Sequence, residues 1–326
     1  MIVKTPLRVS LLGGGSDMFD HFNKNDGHVV GLTINKYIHN AAVKIRFDQG
    51  YKFRLSYRLN EEVQSSKEII HPIYKIILNK YELMGCWHFL SITDIPAGSG
   101  LGSSSTFTVG LLKLVKKILD KDYNNPEKIA LEAIDIERNK LNESGGWQDQ
   151  IHAAYTGINE ISFKGNKFSV NKVKISKSSE DLLNKSMFIM YSGINRDSSS
   201  IESSKNVVDK TKIIDEMVKL SKDGARELSS PNIDLSYLGT LLKENWILKK
   251  NLSDSVSSKS LDELHNTIIE SGAYGAKLCG AGGGGFFFVL SDQNSINKLK
   301  TMVNKNTIIE QIKMSSHDDT YVRDEL

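Results

Sequence analysis

The chain has 326 residues, 39% hydrophobic and 25% charged, a balance that excludes disorder, collagen-like structure and a small disulfide-stapled module. Lys and Arg total 42 against 39 for Asp and Glu, so the net charge of +3 is spread over mixed signs and gives no reason to expect nucleic acid as a partner. Two distant cysteines, Cys86 and Cys279, form neither a disulfide framework nor a metal spacing, and no apolar run approaches the ~18 residues of a membrane span. With no signal-like core after Met1, the expected location is the cytoplasm, and the terminal Arg323-Asp324-Glu325-Leu326 reads as a chance imitation of a retention tail.

Strands are expected at Val3 to Leu12, His28 to Ile34, Tyr37 to Phe47 and Lys52 to Tyr57, from their β-branched or alternating character and the breaks at Gly27 and Gly50. A helix from Pro72 to Met84 and a strand from Trp87 to Ile95 follow. Beyond a glycine-serine loop, a helix starting near Ser105 carries Phe107, Val109, Leu111, Leu112, Val115 and Leu119, and Pro126 opens another. The polar stretch Lys172 to Lys185 marks a seam between units 1–180 and 181–326. The second unit shows a strand at Met187 to Tyr191, helical patterns near 201–228, 235–250 and 260–271, a glycine run, the strand Phe286 to Leu290, and a final helix and strand. Strands and helices do not alternate, which favours an α+β arrangement over a doubly wound sheet.

Four clusters carry chemistry. Pro96-Ala97-Gly98-Ser99-Gly100-Leu101-Gly102-Ser103-Ser104-Ser105 lies between a strand and a helix, where glycines admit a bulky anion and the helix N-terminus offers free N–H groups to phosphate. The ordinary alternative is a turn capped by serine. No Gly-Lys-Ser/Thr occurs, which excludes a Walker A loop. Gly280-Ala281-Gly282-Gly283-Gly284-Gly285 matches G-x-G-x-x-G but precedes a strand instead of a helix, so it is no dinucleotide fingerprint, and close approach to a ligand or another loop is its expected purpose. Arg8 sits inside an apolar strand and points to an anionic partner, unless that strand is a solvated edge. Asp149 follows Glu143-Ser144-Gly145-Gly146-Trp147-Gln148, where helix capping is its simplest role.

Together, Pro6-Leu7-Arg8-Val9-Ser10 with Gly13-Gly14-Gly15-Ser16-Asp17, then Pro96 to Ser105, then Lys277 to Gly285, resemble in order the three motifs of the GHMP kinase superfamily (galactokinase, homoserine kinase, mevalonate kinase, phosphomevalonate kinase). Gly-Gly-Gly-Ser-Asp, Gly-Ser-Gly-Leu-Gly-Ser-Ser-Ser-Thr-Phe and Glu-Ser-Gly-Gly-Trp-Gln-Asp-Gln are most similar to its heptose 7-phosphate kinase group. The resemblance implies a two-domain α+β fold, an N-terminal domain like domain 2 of ribosomal protein S5 followed by a ferredoxin-like domain. It also implies an ATP-dependent phosphotransferase acting on the C1 hydroxyl of a small sugar phosphate. An unphosphorylated fucose- or galactose-type sugar, or a non-catalytic sugar and ATP sensor, are the other readings, and the choice between monomer and homodimer stays open.

Carried over by position, Pro96, Gly98, Ser99, Gly100, Leu101, Gly102, Ser103, Ser104 and Ser105 would cradle ATP, with Ser104 and Glu137 holding Mg2+. Asp149 would accept or orient the acceptor proton, and Arg8 would keep it ionised. Asp17, with Gly14, Gly15 and Ser16 beside it and Gly282 and Gly283 of the third loop, would meet the sugar. For a second, sugar-borne phosphate, Arg196 is the candidate and Lys277 another, solvated surface charge being the more ordinary reading of both.

Overall fold

The computed structural model describes residues 1–194, 210–315 and 322–323; Arg196 and the start of the 201–228 helical pattern lie outside them. The first unit comprises β1 (Ile2–Leu12), α1 (Phe19–Phe22), β2 (Gly27–Ile45), β3 (Phe53–Ser56), β4 (Asn60–Val63), α2 (Pro72–Tyr81), β5 (Cys86–Thr93), α3 (Ser103–Ile118), α4 (Pro126–Ile134), α5 (Gln148–Tyr155), β6 (Ile158–Lys164) and β7 (Lys167–Lys172). Its sheet runs β12-β1-β2-β5-β3-β4, where β12 is Val322–Arg323, and β6 and β7 extend it from the first half of β2. Every pairing is antiparallel except β3 with β5, which are joined through β4 and α2.

The second unit follows α6 (Lys177–Ser186), inside which the expected boundary at 180 falls, and contains β8 (Met187–Tyr191), α7 (Lys210–Leu228), α8 (Leu235–Lys250), α9 (Lys259–Glu270), β9 (Gly275–Leu278), β10 (Phe286–Leu290), α10 (Gln293–Met302) and β11 (Ile309–Gln311). Its four strands form an antiparallel sheet in the order β11-β8-β10-β9. No helix among the described residues is long and apolar enough to cross a membrane.

Two expected strands are one. Asn35 and Lys36 interrupt the apolar pattern like a turn, yet β2 runs through them, and Asn35 is paired twice with Lys313, its N–H donating to the Lys313 carbonyl at 2.9 Å and its side-chain Oδ1 accepting from the Lys313 amide at 2.7 Å. The expected strand at Lys52 to Tyr57 is β3, whereas β4, the hairpin β6-β7 and the four-residue β9 escape the periodicity reading because each strand is short or mostly polar. With β9 in place, the glycine run joins two antiparallel strands, not a helix to a strand.

Packing explains why the two units meet where they do. Leu7, Val9, Leu11 and Leu12 of β1 share one buried cluster with Leu228, Leu238 and Leu242 of α7 and α8 and with Phe286, Phe288 and Leu290 of β10. Burying a leucine contributes about 1.5–3 kcal/mol, so β1 is fixed from the second unit as firmly as from its own sheet. Pro6 lacks the N–H that a ladder needs, and the β1–β2 register shifts between Pro6 and Arg8, a local irregularity that re-aims the next side chain.

Candidate active site

Arg8 emerges from that irregularity. The strand is not a solvated edge here: Arg8 is 4% exposed, its backbone N–H donates to the Leu101 carbonyl at 3.1 Å, and its guanidinium forms a two-pronged pair with Asp149 (Nε to Oδ1 2.8 Å, Nη2 to Oδ2 2.6 Å). The remaining Nη1 donates to the Gly100 carbonyl at 2.7 Å, so one side chain joins β1, the glycine-serine loop and α5. Asp149 does not cap α5, whose N-cap is Trp147 without a side-chain cap; it stands in the first turn, where the helix dipole favours a carboxylate. Burial works to raise the Asp149 pKa, but the charge and hydrogen bonds of Arg8 outweigh it and hold the carboxyl below its ordinary range.

The glycine-serine loop is built to receive an anion. Gly98, Gly100 and Gly102 have φ of +78°, +80° and +77°, open to glycine at little cost. Gly102 is itself the N-cap of the 16-residue α3, and no side chain caps it, so the serine-cap reading fails and the first-turn N–H groups remain for a ligand. A Cβ at Gly98 would meet nothing within 4 Å, whereas Gly100 lies against the Cys279 carbonyl and Gly280, and Gly102 against Arg8. Pro96, Gly98 and Ser104 are exposed, while Ser103 is half-buried at the helix start. Ser99 and Leu101 turn inward instead: Ser99 Oγ accepts from the Leu101 amide at 3.3 Å, and the Ser99 carbonyl accepts from Phe286 at 3.1 Å.

Behind the loop, α4 gives way to a π-helical turn over Asp135–Lys140, a distortion frequent at functional sites, and this turn presents Glu137. The serine that meets Glu137 is Ser105, whose Oγ donates to Oε2 at 2.8 Å; Ser104, expected in that place, is exposed, because one helical step of 100° separates the two directions. Gln150 Nε2 (2.5 Å) and Arg138 Nη2 (3.5 Å) approach the same oxygen, while Oε1 is buried without a partner. Burial raises the Glu137 pKa. An orphaned carboxylate oxygen beside serine hydroxyls is a donor set that fits Mg2+, which takes one or two carboxylates and keeps waters or phosphate oxygens for the rest. Among the described residues no cluster of three or more His, Cys, Asp or Glu offers a denser metal cage.

Asp17 joins the same site from the first motif. Its Oδ1 accepts the Gly15 amide at 2.9 Å and its Oδ2 the Gln148 amide at 3.3 Å, and a Cβ at Gly146 would fall 1.7 Å from Oδ2, which is why glycine stands there. Burial, then the Asp149 charge, pushes the Asp17 pKa up. Gly14 and Gly15 lie in the same loop. Ser16 departs from expectation: it is fully buried, with its hydroxyl directed to the Gly13 and His28 carbonyls at 2.8 and 2.9 Å, so it shapes the loop from within. Gly282 and Gly283 pack on the Ser255–Val256 turn, Gly283 donating to the Val256 carbonyl at 3.0 Å, while Gly280 and Gly285 pack on Gly100 and Ser99. The third loop therefore braces the glycine-serine loop.

Three residues without an assigned role complete the site. Arg138 donates to the carbonyls of Glu143, Ser144 and Gly146 at 3.0–3.3 Å, fixing the loop that leads to Asp149. Gln150 holds Glu137. His152, one turn beyond Asp149, is fully buried, and burial and then Arg8 lower its pKa to about 3, so it is neutral through the working range and adds no charge beside Arg8. Of these, only Gln150 lies in a motif singled out above, the last residue of Glu-Ser-Gly-Gly-Trp-Gln-Asp-Gln.

Lys277 is neither a surface charge nor a second anion site. It is buried, and its ammonium donates to the Ser10 and Leu11 carbonyls of β1 at 3.0 and 2.8 Å, tying β9 to the strand of Arg8. Burial, then the charge of Lys249, lowers its pKa to about 7, against an ordinary 10.5. Above about 7 the unfolded chain holds the proton and the folded one does not, so this group makes stability rise with pH until the unfolded lysine titrates. Thermal unfolding at pH 7 and pH 9 is expected to show a smaller rise for Lys277→Met than for the parent chain; equal rises would remove Lys277 as the source.

An uncapped helix end, a half-buried carboxylate–guanidinium pair and a second carboxylate with one oxygen unpartnered define a phosphotransferase site on a two-unit α+β fold. Residues 68–157 match the family model "GHMP kinases N terminal domain" and residues 225–308 match "GHMP kinases C terminal". The chain is 31% identical over 312 residues to D-glycero-alpha-D-manno-heptose 7-phosphate kinase of Campylobacter jejuni, covering 92% of each protein. Among solved structures it resembles a D-glycero-D-manno-heptose 1-phosphate kinase from Bacteroides thetaiotaomicron (TM-score 0.77, 23% identity, 96% and 95% of the two chains). It resembles the mevalonate kinase of Methanococcus jannaschii similarly (TM-score 0.75, 22% identity, 97% and 98%). The chain belongs to the GHMP kinases, enzymes that use ATP as phosphoryl donor.

Proposed function

We propose that the protein is a sugar 1-kinase that transfers the γ-phosphoryl group of ATP to the anomeric C1 hydroxyl of D-glycero-D-manno-heptose 7-phosphate, giving the 1,7-bisphosphate for nucleotide-activated heptose. The observation that carries this reading is the Arg8–Asp149 pair bonded through Gly100 to the anion-receiving loop, and the 31% likeness to a heptose 7-phosphate kinase supports the choice of sugar.

Phosphoryl transfer passes through a loose transition state, so aligning donor and acceptor and neutralising charge are the protein's main tasks. The N–H groups of the loop and of the first turn of α3 would hold the triphosphate. Asp149, kept ionised, accepts a hydrogen bond from the acceptor hydroxyl and aims its oxygen. A carboxylate held below its ordinary range is a weak base, which suits a reaction in which the hydroxyl loses its proton late. As the acceptor oxygen bonds to the γ-phosphorus and the bond from that phosphorus to the bridging oxygen breaks, releasing ADP, the hydroxyl proton passes to an Asp149 oxygen and Arg8 offsets the charge change. Asp17 would touch sugar hydroxyls with the lone pairs its two backbone donors leave free. Glu137 with Ser105 or Ser104 would hold Mg2+, which supplies charge neutralisation of the phosphate oxygens.

Two measurements test this. Purified protein with ATP, Mg2+ and a panel of sugars and sugar phosphates, followed by phosphorus NMR, is expected to yield a new C1 phosphate on heptose 7-phosphate. Transfer only to unphosphorylated fucose or galactose would replace the substrate, and absence of any turnover would reduce the protein to a sensor. In Mg2+ titrations, Ser105→Ala is expected to need several-fold more Mg2+ for half-maximal activity, and Ser104→Ala likewise if it is the inner ligand. The serine whose loss leaves the titration unchanged is not a ligand.

A further inference from the structure

Away from the catalytic pair, a cleft of about 410 Å³ opens between the β6–β7 hairpin, the start of β2 and helix α7. Three lysines from three segments line it: Lys164 at the end of β6, Lys167 at the start of β7, and Lys222 on α7. Lys164 and Lys167 are directly opposed across the hairpin, a like-charge cross-strand pair that destabilises the ladder unless an anion lies between. Asp26 reaches only Lys164, at 3.3 Å, and among the described residues no carboxylate lies within ion-pair distance of Lys167 or Lys222. The cleft also contains Ser162 and Ser169 as hydroxyl donors, on the same face of the hairpin as Lys164 and Lys167. Its volume suits a ligand of metabolite size.

The cleft is mechanically continuous with the sugar-facing loop. Gly27 and His28 form part of its lining. The His28 carbonyl accepts from Ser16 Oγ at 2.9 Å, and the His28 amide donates back to it at 3.0 Å. His28 is itself clamped, Nδ1 to Ser221 Oγ at 2.6 Å and Nε2 to Glu160 at 2.8 Å, so β2 and α7 cannot shift independently. Ser16 adjoins Asp17, and a ligand that draws Lys222 and the hairpin together is one bonded layer from the loop carrying that carboxylate.

We propose that this cleft is a phosphomonoester site, separate from the triphosphate cradle, in which Lys164, Lys167 and Lys222 grip one phosphate group and whose occupancy is felt at Asp17 through His28 and Ser16. The phosphate has two sources, the distal phosphate of the sugar substrate or a separate phosphorylated metabolite; the link to turnover rests on the kinase reading, the binding itself does not.

Titration calorimetry with inorganic phosphate as probe, on protein loaded with a non-hydrolysable ATP analogue, is expected to give binding that weakens at least ~10-fold in the triple variant K164Q/K167Q/K222Q and falls steeply with salt. K222Q alone, on a different element from the hairpin, is expected to weaken it several-fold, which guards against a hairpin that merely refolds. In kinetics, a substrate phosphate predicts a raised KM for the phosphorylated sugar alone, with inorganic phosphate competing. An effector predicts that phosphate changes the rate with either kind of sugar without competing, and that the triple variant loses this response. Equal phosphate binding by parent and triple variant, or none by the parent at millimolar phosphate, overturns the proposal. Lack of turnover on every sugar, with the difference in phosphate binding intact, would instead overturn the kinase reading.

Discussion

Asp149→Asn is expected to lower kcat at least ~10²-fold while leaving the affinity for ATP within about twofold, because the contribution of a positioned proton acceptor is typically 10²–10⁴. The substitution keeps the shape of the side chain and one acceptor for Arg8 but removes the charge that the guanidinium faces at 2.6 and 2.8 Å. Breaking a fully buried pair costs about 3–5 kcal/mol. The Asp149 side chain is 26% exposed, so solvent screening reduces that figure and about 1–2 kcal/mol is expected. The pH signature is separate from both. Because Arg8 holds the folded Asp149 below its unfolded value, its contribution to stability is present above the ordinary carboxylate range and lost as the pH falls through the folded value. Asp17 has the opposite sign: its raised folded pKa adds stability in acid that is lost as pH rises. Burial is the first cause of that rise and the Asp149 charge the second, so the variant should lose the Asp149 slope below the ordinary carboxylate range and keep a reduced Asp17 slope above it, which thermal unfolding against pH would show. Near-parental turnover in the variant would take Asp149 out of the mechanism.

What the residues disclosed, and what they hid, follows from the range of the forces involved. The glycine-serine loop before an apolar-striped helix, Arg8 in an apolar strand and Asp149 after Gly145-Gly146 are local patterns, and three-dimensional pairing only brings them together. β8 and β10 were legible to the residue because both are continuous apolar runs buried on both faces. The pairing of Glu137 with Ser105 instead of Ser104 was not legible, since it depends on the phase of α3, which begins at Ser103, and on the π turn that rotates Glu137. Ser16 and Lys277 misled for a related reason. A serine in a glycine loop and a lysine in a motif look available to ligands, but backbone carbonyls of His28, Ser10 and Leu11 claim them from elsewhere in the chain. His152 carried no pattern at all: its role as a neutral filler beside Arg8 is set by Gly31 on β2, where a Cβ would come within 2.7 Å of the imidazole Nε2.

Gly100→Ala is expected to damage ATP use far more than Gly98→Ala, although both glycines lie in the same loop with nearly the same φ, +80° and +78°. The backbone strain of placing alanine in that region is of order 1–3 kcal/mol and is common to both. What differs is the surroundings. A Cβ at Gly98 meets nothing within 4 Å, whereas one at Gly100 falls 2.6 Å from the Cys279 carbonyl oxygen, 2.7 Å from its carbon and 3.1 Å from the Gly280 amide, all backbone atoms that cannot rotate away. Gly280 is pinned in turn, its own φ being +70° and its Cβ position 2.6 Å from Gly100 Cα. The two loops can accommodate the methyl only by separating, and separation also withdraws the Gly100 carbonyl from Arg8 and the Ser99 carbonyl from Phe286. Overpacking of this kind adds about 1–3 kcal/mol to the strain, and because it acts on the cradle itself the loss should appear in both KM for ATP and kcat, together at least ~10²-fold in kcat/KM. Gly98→Ala should lose less than ~10-fold, confined to the triphosphate contacts. Steady-state kinetics on the pair, with thermal unfolding to confirm that both variants are folded at the assay temperature, decides the matter: equal losses would mean that the third glycine loop does not brace the glycine-serine loop.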